Sequence, residues 1–118
     1  MTGNKEKQGK PRFDLIPPEA EEALADVLTM GAEKYGDRNW EKGLNYGDVL
    51  AALKRHLNAW VKGEKKDVES GLNPIDHVLC NAAFLVTFER RGTGKDNLLS
   101  VEQKKWKNCS SAISKQPA

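Results

Sequence analysis

The sequence predicts an all-α protein, a small bundle of three main helices followed by a short C-terminal helix. Three observations predict it. Apolar residues recur at helical spacing in three separate windows. Proline, asparagine and glycine stand at the ends of those windows, where helices start and stop. No stretch alternates apolar and polar residues as a half-buried strand would, and there are no internal repeats.

Residues 1–10 are polar and carry Lys5, Lys7 and Lys10, so they are expected to form a flexible N-terminal arm. Residues 11–108 are expected to form a single domain, opening with Pro11-Arg12-Phe13-Asp14-Leu15-Ile16 lying extended over the body. Pro17-Pro18 suits a first helical turn, and Glu19, Glu21 and Glu22 complement the positive end of its dipole. Ala20, Leu24, Val27, Leu28, Gly31, Ala32 and Tyr35 carry the pattern forward until Gly36 stops it. Residues 37–46 form a loop with an exposed-looking Trp40.

The second helix is expected over about 48–62, ending at Gly63, with Val49, Leu50, Leu53, Leu57, Trp60 and Val61 as its apolar face. At roughly 100° per residue His56 falls on the border of that face. Asn73 caps and Pro74 begins the third helix, which reaches about residue 90. It is apolar nearly all round: Ile75, Val78, Leu79, Ala82, Leu85 and Val86 share one face, and Phe84 and Phe88 align with His77 and Asn81 on another. A central, buried helix is expected from such a pattern. Ser100 and Gln103 resemble a capping box for a short helix to about residue 108, and residues 109–118 read as a disordered tail.

Composition narrows the function classes. A chain of 118 residues, 38% apolar and 31% charged, buries one core, and small domains often gain further burial by association, so a homo-oligomer is expected. A net charge of +2 gives no electrostatic case for nucleic acid. No apolar run is long enough for a membrane span and no signal-peptide core is present, which points to the cytoplasm. Cys80 and Cys109 lie in unlike settings and read as reduced thiols, with no CxxC pair for zinc.

The chemistry is expected in residues 55–81, which hold both histidines, His56 and His77, around a linker carrying Glu64, Asp67 and Glu69. Carboxylates of this kind suit a hard cation such as Mg²⁺. The bland alternative is a solvated charged turn, softened by Lys65 and Lys66. The histidines could ligate metal, carry protons or contact phosphate, or simply be satisfied at the edge of the core. Lys34, Arg38, Lys54 and Arg55 are candidate phosphate contacts, and Tyr35 and Trp40, with Asn39, candidate contacts for a base. The alternative for these is an ordinary charged surface and a loop anchored by aromatics. No Walker loop, dinucleotide fingerprint or serine elbow occurs.

Several linked motifs resemble a bacteriophage family, the dATP/dGTP diphosphohydrolase N-terminal domain. They are Arg12-Phe13-Asp14-Leu15-Ile16-Pro17-Pro18-Glu19-Ala20 and the run from Gly31-Ala32-Glu33-Lys34-Tyr35-Gly36 through Asp37-Arg38-Asn39-Trp40. Leu53-Lys54-Arg55-His56-Leu57, Gly63-Glu64, Asp67, Glu69-Ser70-Gly71 and His77 continue the pattern, so the likeness spans about residues 11–90. The resemblance implies a link to MazG-like, all-α, oligomeric, Mg²⁺-dependent nucleoside triphosphate pyrophosphohydrolases. Glu64 and Asp67 match their E-x-x-D element. Glu19, Glu21 and Glu22 depart from the E-E-x-x-E spacing, and Pro74 stands where the family pattern has histidine.

The expected activity is therefore hydrolysis of a purine dNTP to dNMP and pyrophosphate, with Mg²⁺ or Mn²⁺ on Glu64, Asp67 and Glu69. Glu69, His56 and His77 form the candidate catalytic set; Lys34, Arg38, Arg55, Tyr35, Trp40 and Asn39 would hold the nucleotide. The rival is a non-catalytic nucleotide-binding protein, such as one that sequesters a nucleotide signal of host defence. A helical accessory protein is a third.

Overall fold

A computed structural model describes residues 3–4, 6 and 8–99. Three α-helices dominate: α1 (Pro18–Tyr35), α2 (Tyr46–Val61) and α3 (Pro74–Arg91). Single 3-10 turns occupy Phe13–Leu15 and Asn39–Lys42. No strand occurs among the described residues; one isolated β-bridge joins Asn45 to Lys95. The all-α class holds. The expected C-terminal helix and the 109–118 tail lie outside the described residues, as does part of the N-terminal arm.

The helix ends follow the sequence signals. Pro18 occupies the first turn of α1, and Gly36, with φ of +95°, ends it while donating its N–H to the Ala32 carbonyl at 2.8 Å. Asn73 caps α3 by accepting from the Ile75 N–H at 3.0 Å. Gly92 closes α3 in the left-handed conformation, where a side chain would strain. Helix α2 starts two residues earlier than expected because its first N–H groups find partners outside the helix. The Tyr46 N–H bonds the Lys95 carbonyl at 2.8 Å, and the Gly47 N–H bonds Asn97 Oδ1 at 2.7 Å.

Helix α3 is the centre: both α1 and α2 pack on it and make little contact with one another. His77 opposite His56 and Phe88 opposite Tyr46 show α2 and α3 running antiparallel. The core is small, with Val27, Val49, Cys80 and Phe88 as its buried apolar residues. Trp40 is half-buried rather than exposed. Its ring stacks on Phe84 at 4.5 Å and meets Phe88 at 6.0 Å, so the loop between α1 and α2 is anchored by aromatic packing. Glu41 reinforces the anchor by taking Arg91 Nη1 at 2.7 Å.

Two expectations fail. The 12–16 segment does not lie extended over the body: backbone bonds from the Leu15 N–H to the Arg12 carbonyl at 3.1 Å and from the Ile16 N–H to the Phe13 carbonyl at 3.2 Å make it a turn, with Phe13 and Leu15 exposed. Helix α3 is not buried all round. Pro74, His77, Cys80 and Phe88 face inward, but Leu79 and Val86 on the opposite side are exposed, because α1 and α2 do not close over them.

Close backbone approach at Gly43 and Gly94 holds the corner where α2 begins. A Cβ on Gly43 would lie 2.8 Å from the Gly94 nitrogen, and both glycines have positive φ. Gly43→Ala is expected to lower stability by about 2 kcal/mol. Gly31→Ala, in open space within α1, is expected to raise it by up to ~1 kcal/mol. Urea unfolding midpoints of the two variants would move in opposite directions.

Candidate functional site

Helix α2 stops at Val61 because Gly63 takes φ of +90°, and residues 62–73 turn back towards α3 without being helical. The turn is built on Asp67. Its Oδ2 accepts from the Glu69 N–H and the Ser70 N–H, both at 3.0 Å, with Ser70 Oγ at 3.3 Å. Its own N–H bonds the Leu72 carbonyl at 2.7 Å, and its carbonyl accepts from the Gly71 N–H at 2.8 Å. These local bonds fix Ser70 over the first turns of α3.

Ser70 Oγ lies 2.6 Å from Nε2 of the buried His77. The same oxygen accepts from the Leu72 N–H at 3.1 Å. Two proton arrangements fit. Either the hydroxyl donates to a neutral imidazole nitrogen, or the Nε2–H donates to the hydroxyl, whose proton then faces Asp67. His56, from α2, stacks on His77 with ring centres 4.4 Å apart and planes at 16°. Its Nδ1 is 3.7 Å from Asp67 Oδ1, too long for a hydrogen bond. The result is a chain of groups, His56, His77, Ser70 and Asp67, at one end of the bundle. Lys34 reaches that end from α1, with Nζ 3.9 Å from Glu69 Oε2 and 5.3 Å from the Tyr35 ring centre.

The electrostatics favour a neutral histidine beside a charged carboxylate. Burial lowers the His56 pKa below its ordinary 6.5, helped by the neighbouring His77 and by Arg55, and outweighs the pull of Asp67 and Glu69. For Asp67, burial opposes the charge, but the Ser70 and Glu69 N–H groups and the two histidines prevail and hold its pKa below the ordinary value.

The structure thus gathers His56, His77, Asp67 and Lys34, while the carboxylate of Glu69 turns towards Lys34. Arg55 precedes His56 on α2 but is exposed, as is Tyr35. Other sequence candidates lie elsewhere. Arg38 pairs with Glu41 at 3.6 Å and sits in the left-handed region with φ of 57°. Asn39 and Trp40 belong to the 3-10 turn packed on the later turns of α3, and one face of the Trp40 ring is taken by Phe84.

The three carboxylates expected to hold Mg²⁺ do not converge within one chain. The E-x-x-D spacing presumes a helical turn, and residues 64–67 are not helical. Glu64 points to Lys62 at 3.9 Å, and Asp67 Oδ2 is already surrounded by local donors. Among the described residues no group of three His, Cys, Asp or Glu side chains is arranged to hold a metal. Such a set does not fit a cation that needs several free oxygens at octahedral positions.

Ser70 is the member that residue-type reasoning passed over. The usable signal was the Asp67-x-x-Ser70 spacing followed by Gly71, which marks a carboxylate-capped turn. An open depression of about 430 Å³, lined by Lys42, Leu44, Asn45, Asp48 and Lys95 among others, lies at the start of α2, away from the histidines. It contains no histidine.

Residues 1–98 match the family described as "dATP/dGTP diphosphohydrolase, N-terminal". The chain belongs to that family. A relative from Salmonella phage PMBT28, named dATP/dGTP diphosphohydrolase, is 40% identical over 85 residues, covering 72% of this chain and 29% of the relative. The matched stretch therefore spans less than a third of that protein. No solved structure matches the chain. Among the described residues, no helix is long and apolar enough to cross a membrane.

Two predictions follow from the cluster. Because the folded pKa of His56 is depressed, its stabilising contribution is present above about pH 6.5 and is lost as pH falls through the folded value. The urea midpoint is expected to fall between pH 7.5 and pH 5.5, and His56→Gln to reduce that dependence. A pH-independent midpoint would contradict a neutral His56. Ser70→Ala strips His77 of its partner and should cost about 1–3 kcal/mol of stability, read from the same curves.

Proposed function

We propose that this chain serves a dATP/dGTP diphosphohydrolase, the activity in the phage relative's name, that it acts in converting a purine dNTP to dNMP and pyrophosphate, and that the histidine end of the bundle receives the nucleotide. Family membership over residues 1–98 carries the proposal. The site geometry supports its location, since Lys34 and Arg55 stand beside a histidine pair already connected to a carboxylate through Ser70.

In this proposal Lys34 and Arg55 hold phosphate oxygens, and exposed Tyr35 offers a face to the base. His56, kept neutral, accepts a proton from water attacking the α-phosphorus, and Asp67 stabilises the imidazolium that forms. His77, fixed by Ser70, orients His56 by stacking. Mg²⁺ or Mn²⁺ enters only as the counter-ion that a triphosphate brings with it.

A second function is a non-catalytic nucleotide-binding domain. Two observations favour it specifically: the carboxylates do not form a metal set within one chain, and the match spans 29% of the relative. The same phosphate contacts would serve, without turnover.

Purified protein incubated with each of the four dNTPs, in Mg²⁺, Mn²⁺ or EDTA, separates the two. Hydrolysis is expected to yield purine dNMP and pyrophosphate, with His56→Ala lowering kcat by about 10²-fold. Release of intact nucleotide after heat denaturation would instead identify a binder. Neither turnover nor binding would remove both functions.

A further inference from the structure

Among the described residues, the outward face of α3 is left open at Leu79 and Val86, while Ile75 and Ala82 are half-buried. Ile75, Leu79, Ala82 and Val86 recur there at 4-3-4 spacing, the seam of a helix that packs against another helix. They lie opposite the inward residues His77, Cys80 and Phe88 on the helix wheel. Leu79 is 36% exposed and Val86 52% exposed. Neither α1 nor α2 covers Leu79 or Val86.

We propose that the stripe is a dimer interface, in which α3 of one protomer packs antiparallel on α3 of a second copy about a two-fold axis near Ala82 and Ala83. The spacing of charge selects this occupant and this direction. Asp76 and Arg90 flank the stripe on one side, each seven residues from Ala83. In an antiparallel pair, a two-fold at Ala83 sets Asp76 of each protomer across from Arg90 of its partner, and Leu79 within one residue of the partner's Val86. A parallel pair would oppose Asp76 to Asp76 and Arg90 to Arg90. Antiparallel packing also sets the helix dipoles head to tail. Small residues at the axis let the backbones approach closely. Arg91 does not compete for Asp76, because Glu41 holds it at 2.7 Å.

The seam from Ile75 to Val86 is only ~16 Å long. A standard interface buries ~800 Å² on each partner. Association is therefore expected at micromolar rather than nanomolar concentration, on the order of 10⁻⁶ to 10⁻⁵ M. The homo-oligomer expected from chain size thereby acquires a defined surface, one that does not depend on the nucleotide site.

Sedimentation equilibrium of the full chain between about 1 and 500 μM tests the interface, with far-UV circular dichroism as the check on folding. The wild type is expected to reach twice the 13.1 kDa chain mass. Val86→Glu should leave a folded monomer across that range. Arg90→Asp should weaken association at least tenfold, and Asp76→Arg combined with Arg90→Asp should restore it. A wild type that stays monomeric overturns the interface. A dimer indifferent to Val86→Glu shows that another face is used and overturns it equally. Loss with Val86→Glu without rescue by the double charge reversal overturns the antiparallel arrangement.

Discussion

The candidate site depends on one carboxylate. Asp67 leaves water partly behind, at a cost, and recovers it through N–H groups of the turn that it organises itself. That turn holds Ser70 against His77, and His77 in turn gives His56 a flat surface to stack on. Without the Asp67 turn the linker between α2 and α3 would have no preferred path over the end of α3. A buried imidazole would then lack the partner that makes its burial tolerable. Structure and chemistry at this end of the bundle share the same few bonds. Changes to either are therefore coupled, and mutational effects among these four residues should not add.

Much of the fold was legible in the sequence because helix termini are written in local chemistry. Asn73 with Pro74, Gly36 and Gly92 act within a turn of their own positions, so the boundaries of α1 and α3 needed no tertiary information. The start of α2 was misplaced for the opposite reason. Its first amides bond Lys95 and Asn97, some fifty residues away, and no local pattern announces such a partner. The 12–16 segment misled too: its apolar side chains suggested burial, but backbone bonds curl it into a local turn instead.

The site was half legible. Two histidines around an acidic linker pointed to residues that the structure does bring together, since a helical hairpin gathers its ends. Assigning three carboxylates to one cation treated residue type as geometry. Glu64 and Glu69 reach nearby lysines, and only Asp67 turns inward. Trp40 shows the same limit. An aromatic in a polar loop can face a ligand or the core, and here the aromatic pair Phe84 and Phe88 decided for the core.

The clasp between the loop before α2 and the stretch after α3 bears on how this fold can be joined to other polypeptide. Asn45 bridges Lys95, and Asn97 caps Gly47, so the structural unit does not finish at Arg91 where its last helix does. A boundary drawn there would strip two amides of their acceptors and loosen the corner that seats α2. A partner fused after α3 must be tethered beyond Asn97, and would hang from the corner farthest along α2 from its histidine.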